Sequence, residues 1–137
     1  MWKYYALLSA LFAAATSILA KVGVKGISGN IATAIRTIVI LFIAWGIVLF
    51  SGQIKEVRDI SRTNLIFLVL SGIATGLSWI FYFKALETGD VSKVVPIDKL
   101  SAAIAIGLSI LILKEPLEPR TIFGAFMIIA GTIVIIW

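Results

Sequence analysis

The sequence predicts an all-α membrane protein with five transmembrane helices, and three observations carry that prediction. Of 137 residues, 61% are hydrophobic and 14% are charged. Soluble domains carry about 25% charged and 45–50% apolar residues, so this chain cannot cover a water-facing surface. Mean hydropathy is +1.10. The apolar residues also fall into five long blocks, separated by short charged or glycine-rich connections.

The blocks can be read in order. Residues 4–20 form an uncharged run of 17, closed by Lys3 and Lys21. Residues 26–54 hold one charge, Arg36, and leave 18 clean residues after it. Residues 63–83 give 21, residues 94–113 give 20 with Asp98 and Lys99 near the start, and residues 121–137 give 17. A bilayer core of about 30 Å needs about 20 helical residues, with roughly 17–25 tolerated. The runs are continuous, whereas a membrane β-barrel needs strands that alternate apolar and polar residues. Helices are therefore expected at about 3–22, 30–51, 63–86, 94–113 and 120–137, as one repeat-like domain over residues 1–137. Lys3 ahead of an apolar run with Ala13, Ala14 and Ala15 has the look of a signal peptide. The run is long enough to span, however, and four more follow it.

The connections have their own chemistry. Gly23, Gly26 and Gly29 mark a turn after the first helix. Ser61 is placed to cap the third helix, and Gly89-Asp90 is a turn dipeptide. Pro116 and Pro119 stop one helix and start the next.

Composition also excludes function classes. Cysteine and histidine are both absent. That removes disulfides, thiol nucleophiles, Cys/His metal sites and histidine bases. No phosphate-binding glycine loop, dinucleotide fingerprint, zinc-protease helix or nucleophile elbow occurs. The seven acids lie mostly in connections, so no catalytic constellation, metal site or cofactor is expected. The formal charge of +5 reads as headgroup anchoring and topology rather than nucleic-acid binding, because the basic residues sit between apolar blocks.

The distribution of positive charge is informative. Lys3, Lys55, Arg58, Arg62, Lys114 and Arg120 fall on the N-terminal side; Lys21, Lys25, Arg36, Lys84, Lys93 and Lys99 fall on the other. Setting aside Arg36, Lys84 and Lys99 as intramembrane leaves a bias toward an N-terminus inside. Five crossings put the ends of the chain on opposite faces. A near-balanced chain can insert both ways and pair antiparallel, reproducing the inverted repeats of many transporters. The competing arrangement is a single orientation with a different five-helix partner.

Ionisable groups at membrane depth cost roughly 2.5–3.5 kcal/mol each on insertion scales, which makes them functional candidates. Arg36 either snorkels to the interface or pairs with a carboxylate or an anionic substrate group. Asp98 and Lys99 follow Pro96, which is expected to kink or start the fourth helix and leave Asp98 in its first turn. Asp98 either caps that helix or serves as a proton or cation site. Trp79 and Tyr82, with Ser78 beside them, are either interfacial belt residues or the lining of a path suited to an organic cation or flat apolar solute. Gly72, Gly76, Ala103 and Gly107 form small-residue packing stripes, as do Ser9, Ala13 and Ser17 on the first helix.

These residues resemble a known family. The stretch FYFKALETGDVSKVVPIDKLS at 81–101, then LKEPL at 113–117 and the helix carrying Gly124 and Gly131, looks like the signature of EamA-type proteins of the drug/metabolite transporter superfamily. Arg36 stands where the family's second helix often begins with an arginine. The resemblance runs from residue 7 to 136 and is most specific in the third to fifth helices. Most members have ten helices in two inverted repeats, and this chain matches one repeat, as in the small five-helix bacterial and archaeal branch. The resemblance implies a prokaryotic inner-membrane location and export or exchange of small metabolites, amino acids or drugs through a central cavity. Together these readings give a dimerising half-transporter working by alternating access. A non-transporting assembly subunit or a channel would be the alternative.

Overall fold

The computed structural model describes all of residues 1–137. Every element is helical. Helix α1 spans Trp2–Gly23, α2 Gly29–Phe50, α3 Arg62–Thr88, α4 Val91–Asp98, α5 Leu100–Ile112 and α6 Pro119–Ile136, with a 3-10 segment at Gln53–Asp59. Helices α4 and α5 form one interrupted span, Val91–Ile112, so five helices are long and apolar enough to cross a membrane. The all-α, five-span class expected from the sequence is what the chain forms.

Local chemistry sets the helix ends. Ser28 caps α2, accepting from the Ile31 N–H at 3.3 Å. After α2 the chain reverses through Gly52 at φ 74, a left-handed conformation that glycine adopts without steric cost. Ser61 caps α3 by accepting from the Asn64 N–H at 3.1 Å. Pro119 opens α6 at a position where its missing N–H costs no helical bond. The C-terminal end of α5 is finished by Lys114, which takes φ 54.

The fourth span corrects the expectation for Pro96 and Asp98. Helix α4 begins at Val91, ahead of the proline, and Asp98 is its last residue rather than part of a first turn. Pro96 tolerates this because it is only the sixth residue of the helix; the carbonyl it leaves without a helical partner is that of Ser92, in the first turn. The interruption falls at Lys99, through a tight turn in which the Ala102 N–H donates to the Lys99 carbonyl at 3.0 Å.

The chain packs as two units, Met1–Ile18 with Thr88–Trp137, and Leu19–Glu87. In the first unit α6 lies against α4 and α5. Thr132, 4% exposed, brings its hydroxyl within 3.2 Å of the Pro96 carbonyl and 2.8 Å of the Ile128 carbonyl. A hydroxyl bridging two helices inside the bilayer contributes about 0.6 kcal/mol on average, up to about 1.7. Ala103 is also buried here.

In the second unit the core is Ala20, Val24, Ala32, Thr33, Phe83 and Leu86. Its tightest point is Gly29. A Cβ there would fall 2.9 Å from the Phe83 carbonyl carbon and 3.0 Å from the Lys84 nitrogen. The absence of a side chain is what lets α2 begin against the backbone of α3. Gly72, Gly76 and Gly107 have no neighbour within 4 Å of where a Cβ would stand, so their small-residue faces are not filled by this chain.

Two stability outcomes follow. Gly29→Ala must push backbone apart and is expected to cost about 1–3 kcal/mol, whereas Gly46→Ala, in open space on α2, should cost nothing. Thr132→Val should lose about 1 kcal/mol while Thr132→Ser retains it. Unfolding midpoints of the purified protein in mixed micelles check both pairs.

Candidate functional site

The second unit holds a charged site built on apolar helices. Arg36 lies seven residues into α2, about 10 Å along the axis at about 1.5 Å per residue. On α3, Trp79 and Phe83 are four residues apart and so share one face. The Arg36 guanidinium carbon sits 5.0 Å from the centroid of each ring. Rings within about 6 Å attract a cation through their quadrupoles, by about 0.5–1 kcal/mol when exposed and about 2 or more when desolvated. Phe83 is 1% exposed, and Tyr82 packs edge-on against it with centroids 6.0 Å apart and planes at 79°.

The surrounding backbone ties hold this face in place. Lys21 Nζ donates to the Leu86 carbonyl at 2.6 Å. The Gly29 N–H donates to Glu87 Oε1, so a carboxylate from α3 satisfies one of the free donors at the start of α2. Thr33 and Thr37 donate back to the carbonyls of Gly29 and Thr33, both at 2.8 Å.

Arg36 and Trp79, each singled out in the sequence, thus meet directly, with Tyr82 one contact away. Ser78, beside Trp79 in the chain, is exposed. The ring place that suited an organic cation is taken by the protein's own guanidinium. Phe83 and Gly29 are the residues that sequence reasoning missed. The spacing of Trp79 and Phe83 was available as a signal, but an aromatic at i+4 in an apolar span is too common to single out.

The first unit holds a second feature. The small-residue stripe of α1 (Ala6, Ser9, Ala10, Ala13, Ala14 and Ser17) lines a groove of about 340 Å³ together with Val95 and Lys99. Lys99 Nζ is 3.1 Å from Asp98 Oδ2, with the side chains 54% and 32% exposed respectively. The groove offers alanine methyls, two hydroxyls and an ammonium already neutralised by its neighbour. No group of three or more metal-ligating side chains is present.

Comparison with known proteins gives these features a setting. A transporter of a Sinorhizobium species, described only as uncharacterized and lying in the cobO 3′ region, is 44% identical over 134 residues, covering 98% of this chain and 95% of its own. An uncharacterized protein of Methanocaldococcus jannaschii is 31% identical over 93 residues, 66% of this chain and 68% of its own. No solved structure matches. The EamA-like transporter family matches residues 1–137. With five spans and a family match along its whole length, this integral multi-pass membrane protein belongs to the EamA-like transporter family.

Proposed function

We propose that the chain is a half-transporter for a small solute, a metabolite, amino acid or drug, which it exports or exchanges by alternating access. In this reading two copies, or this chain and a second five-helix chain, pair antiparallel around a central cavity. Arg36, Asp98 and Lys99 recognise charge or couple an ion, and Ser78, Trp79 and Tyr82 line the path.

The observation that carries the reading is the low burial of every span. None has more than 11% of its apolar stretch buried within the chain, yet Arg36, Asp98 and Lys99 stand on these spans. A path for a polar solute must be shielded from lipid on all sides, which calls for helices beyond these five. The unfilled faces at Gly72, Gly76 and Gly107 are suited to such packing. Family membership and a relative of closely matching length support the same unit size. Counting every lysine and arginine, Arg36, Lys84 and Lys99 included, six fall on each side, which supports dual insertion.

Orientation is the first test, and the lack of native cysteine makes it clean. One cysteine replaces Trp2, and in a separate variant one is added after Trp137. Labelling of both in intact cells with a membrane-impermeant thiol reagent is the expected result. Labelling of one alone removes the antiparallel homodimer and leaves a second chain as partner. For the site, Asp98→Ala should abolish flux in proteoliposomes or shift its pH dependence. Unchanged flux and pH profile take Asp98 out of the mechanism, and sustained single-channel currents would replace the carrier with a channel.

A further inference from the structure

We infer that Arg36, held by Trp79 and Phe83, is the receptor for the oxyanion of a small organic acid, with the two rings forming the wall against which the acid's apolar body rests. This deepens the transport reading, on which its physiological meaning rests, by naming the substrate class as anionic.

The argument starts from what the guanidinium uses and what it leaves over. Cation–π attraction engages the charge over the rings but satisfies none of the five N–H donors, which lie in the guanidinium plane. Arg36 makes no ion pair with a carboxylate of this chain. No backbone carbonyl of this chain accepts from it either, although Lys21 and Thr37 nearby do donate to helical carbonyls. None of its nitrogens is sealed in without a partner, so the fork stays reachable from outside the chain.

A charge on a membrane-spanning helix with open donors calls for an acceptor group. The planar fork matches a carboxylate or phosphate through two parallel bonds, which a lysine cannot offer. A cationic solute is disfavoured by the same geometry, because the aromatic position that would attract it already carries a positive charge. Position adds to this. Phe83 is fully buried and fixes one ring, while Trp79 remains partly open and can contact a ligand bound at the fork.

An oxyanion at this place could come from a free solute or from a lipid phosphate, and the experiment separates them. The chain has four tryptophans. Replacing Trp2, Trp45 and Trp137 by Phe leaves Trp79 as the only fluorescent indole, in direct contact with Arg36. The full chain is reconstituted into vesicles of phosphatidylcholine alone and titrated with benzoate, a carboxylate on a flat apolar body, or with benzylamine, its cationic counterpart.

Saturable change in Trp79 emission with benzoate and none with benzylamine is expected. Arg36→Lys should weaken the benzoate response by about tenfold or more by losing the two-pronged fit, and Arg36→Gln should abolish it. Circular dichroism shows whether each variant is folded; if Arg36→Gln is not, the Arg36→Lys comparison decides. An equal response to benzylamine, or a benzoate response unmoved by Arg36→Lys, overturns the inference. A Trp79 change produced by phosphatidylglycerol in the vesicles, with no saturable response to benzoate, assigns Arg36 to a lipid headgroup and also overturns it. Binding is read without flux, so the two readings fail separately. Benzoate binding in a protein that moves no solute sinks the transport reading alone, and solute flux undiminished by Arg36→Gln sinks the anion site alone.

Discussion

The guanidinium of Arg36, carried on an apolar helix, is held by two ring faces, and much of the second unit can be understood from that contact. The partner chosen is two ring faces rather than a carboxylate. A buried Arg–carboxylate pair cancels the charge and consumes the donors; a pair of rings does neither. The arrangement keeps the positive potential and keeps the N–H fork open. It needs α2 and α3 to approach closely at this level, and Gly29 is what permits the approach. The carboxylate of Glu87 and the ammonium of Lys21 then bind backbone groups at the same end of the helices. Lys21 and Glu87 thereby serve the backbone, while the charge of Arg36 is left to the aromatics.

The first unit solves a different problem with neutral groups. Pro96 interrupts the hydrogen-bond ladder of α4, and the chain turns at Lys99 before α5 resumes. The cross-link at this level is one hydroxyl, that of Thr132, shared between its own helix and the Pro96 carbonyl. Asp98 and Lys99 pair at the turn, with both side chains partly exposed.

How much of this was legible in the sequence depends on the range of the interaction. The five spans follow from block length against bilayer thickness, a constraint that reads directly from composition. The Ser61 cap follows from a contact three residues long. Arg36 was visible because a charge in an apolar run is conspicuous, but its aromatic partners lie more than forty positions later on another helix. Gly29 was read as turn glycine, because a sequence shows its freedom of φ and not the backbone of Phe83 and Lys84 that it faces. Thr132 gave no signal at all: a threonine in an apolar span bonds its own i−4 carbonyl by default. Pro96 was rightly marked as a disturbance, yet a proline six residues into a helix loses only a first-turn partner, so the break moved to Lys99 and carried Asp98 to the other end of the element.

The two units differ in how much holds them at their critical points, and that difference bears on any motion the protein undergoes. Separating α2 from α3 at Gly29 means uncovering two apolar side chains, Phe83 and Leu86, that are at most 1% exposed, and breaking the bond from the Gly29 N–H to Glu87. Moving α4 relative to α5 and α6 alters a turn that already lacks a continuous ladder, but it also gives up the Thr132 bond to the Pro96 carbonyl and the packing that buries Val94 and Ala103. The groove lined by Lys99 and the α1 stripe lies beside the α4–α5 turn, and Arg36 rests against the aromatic face of α3.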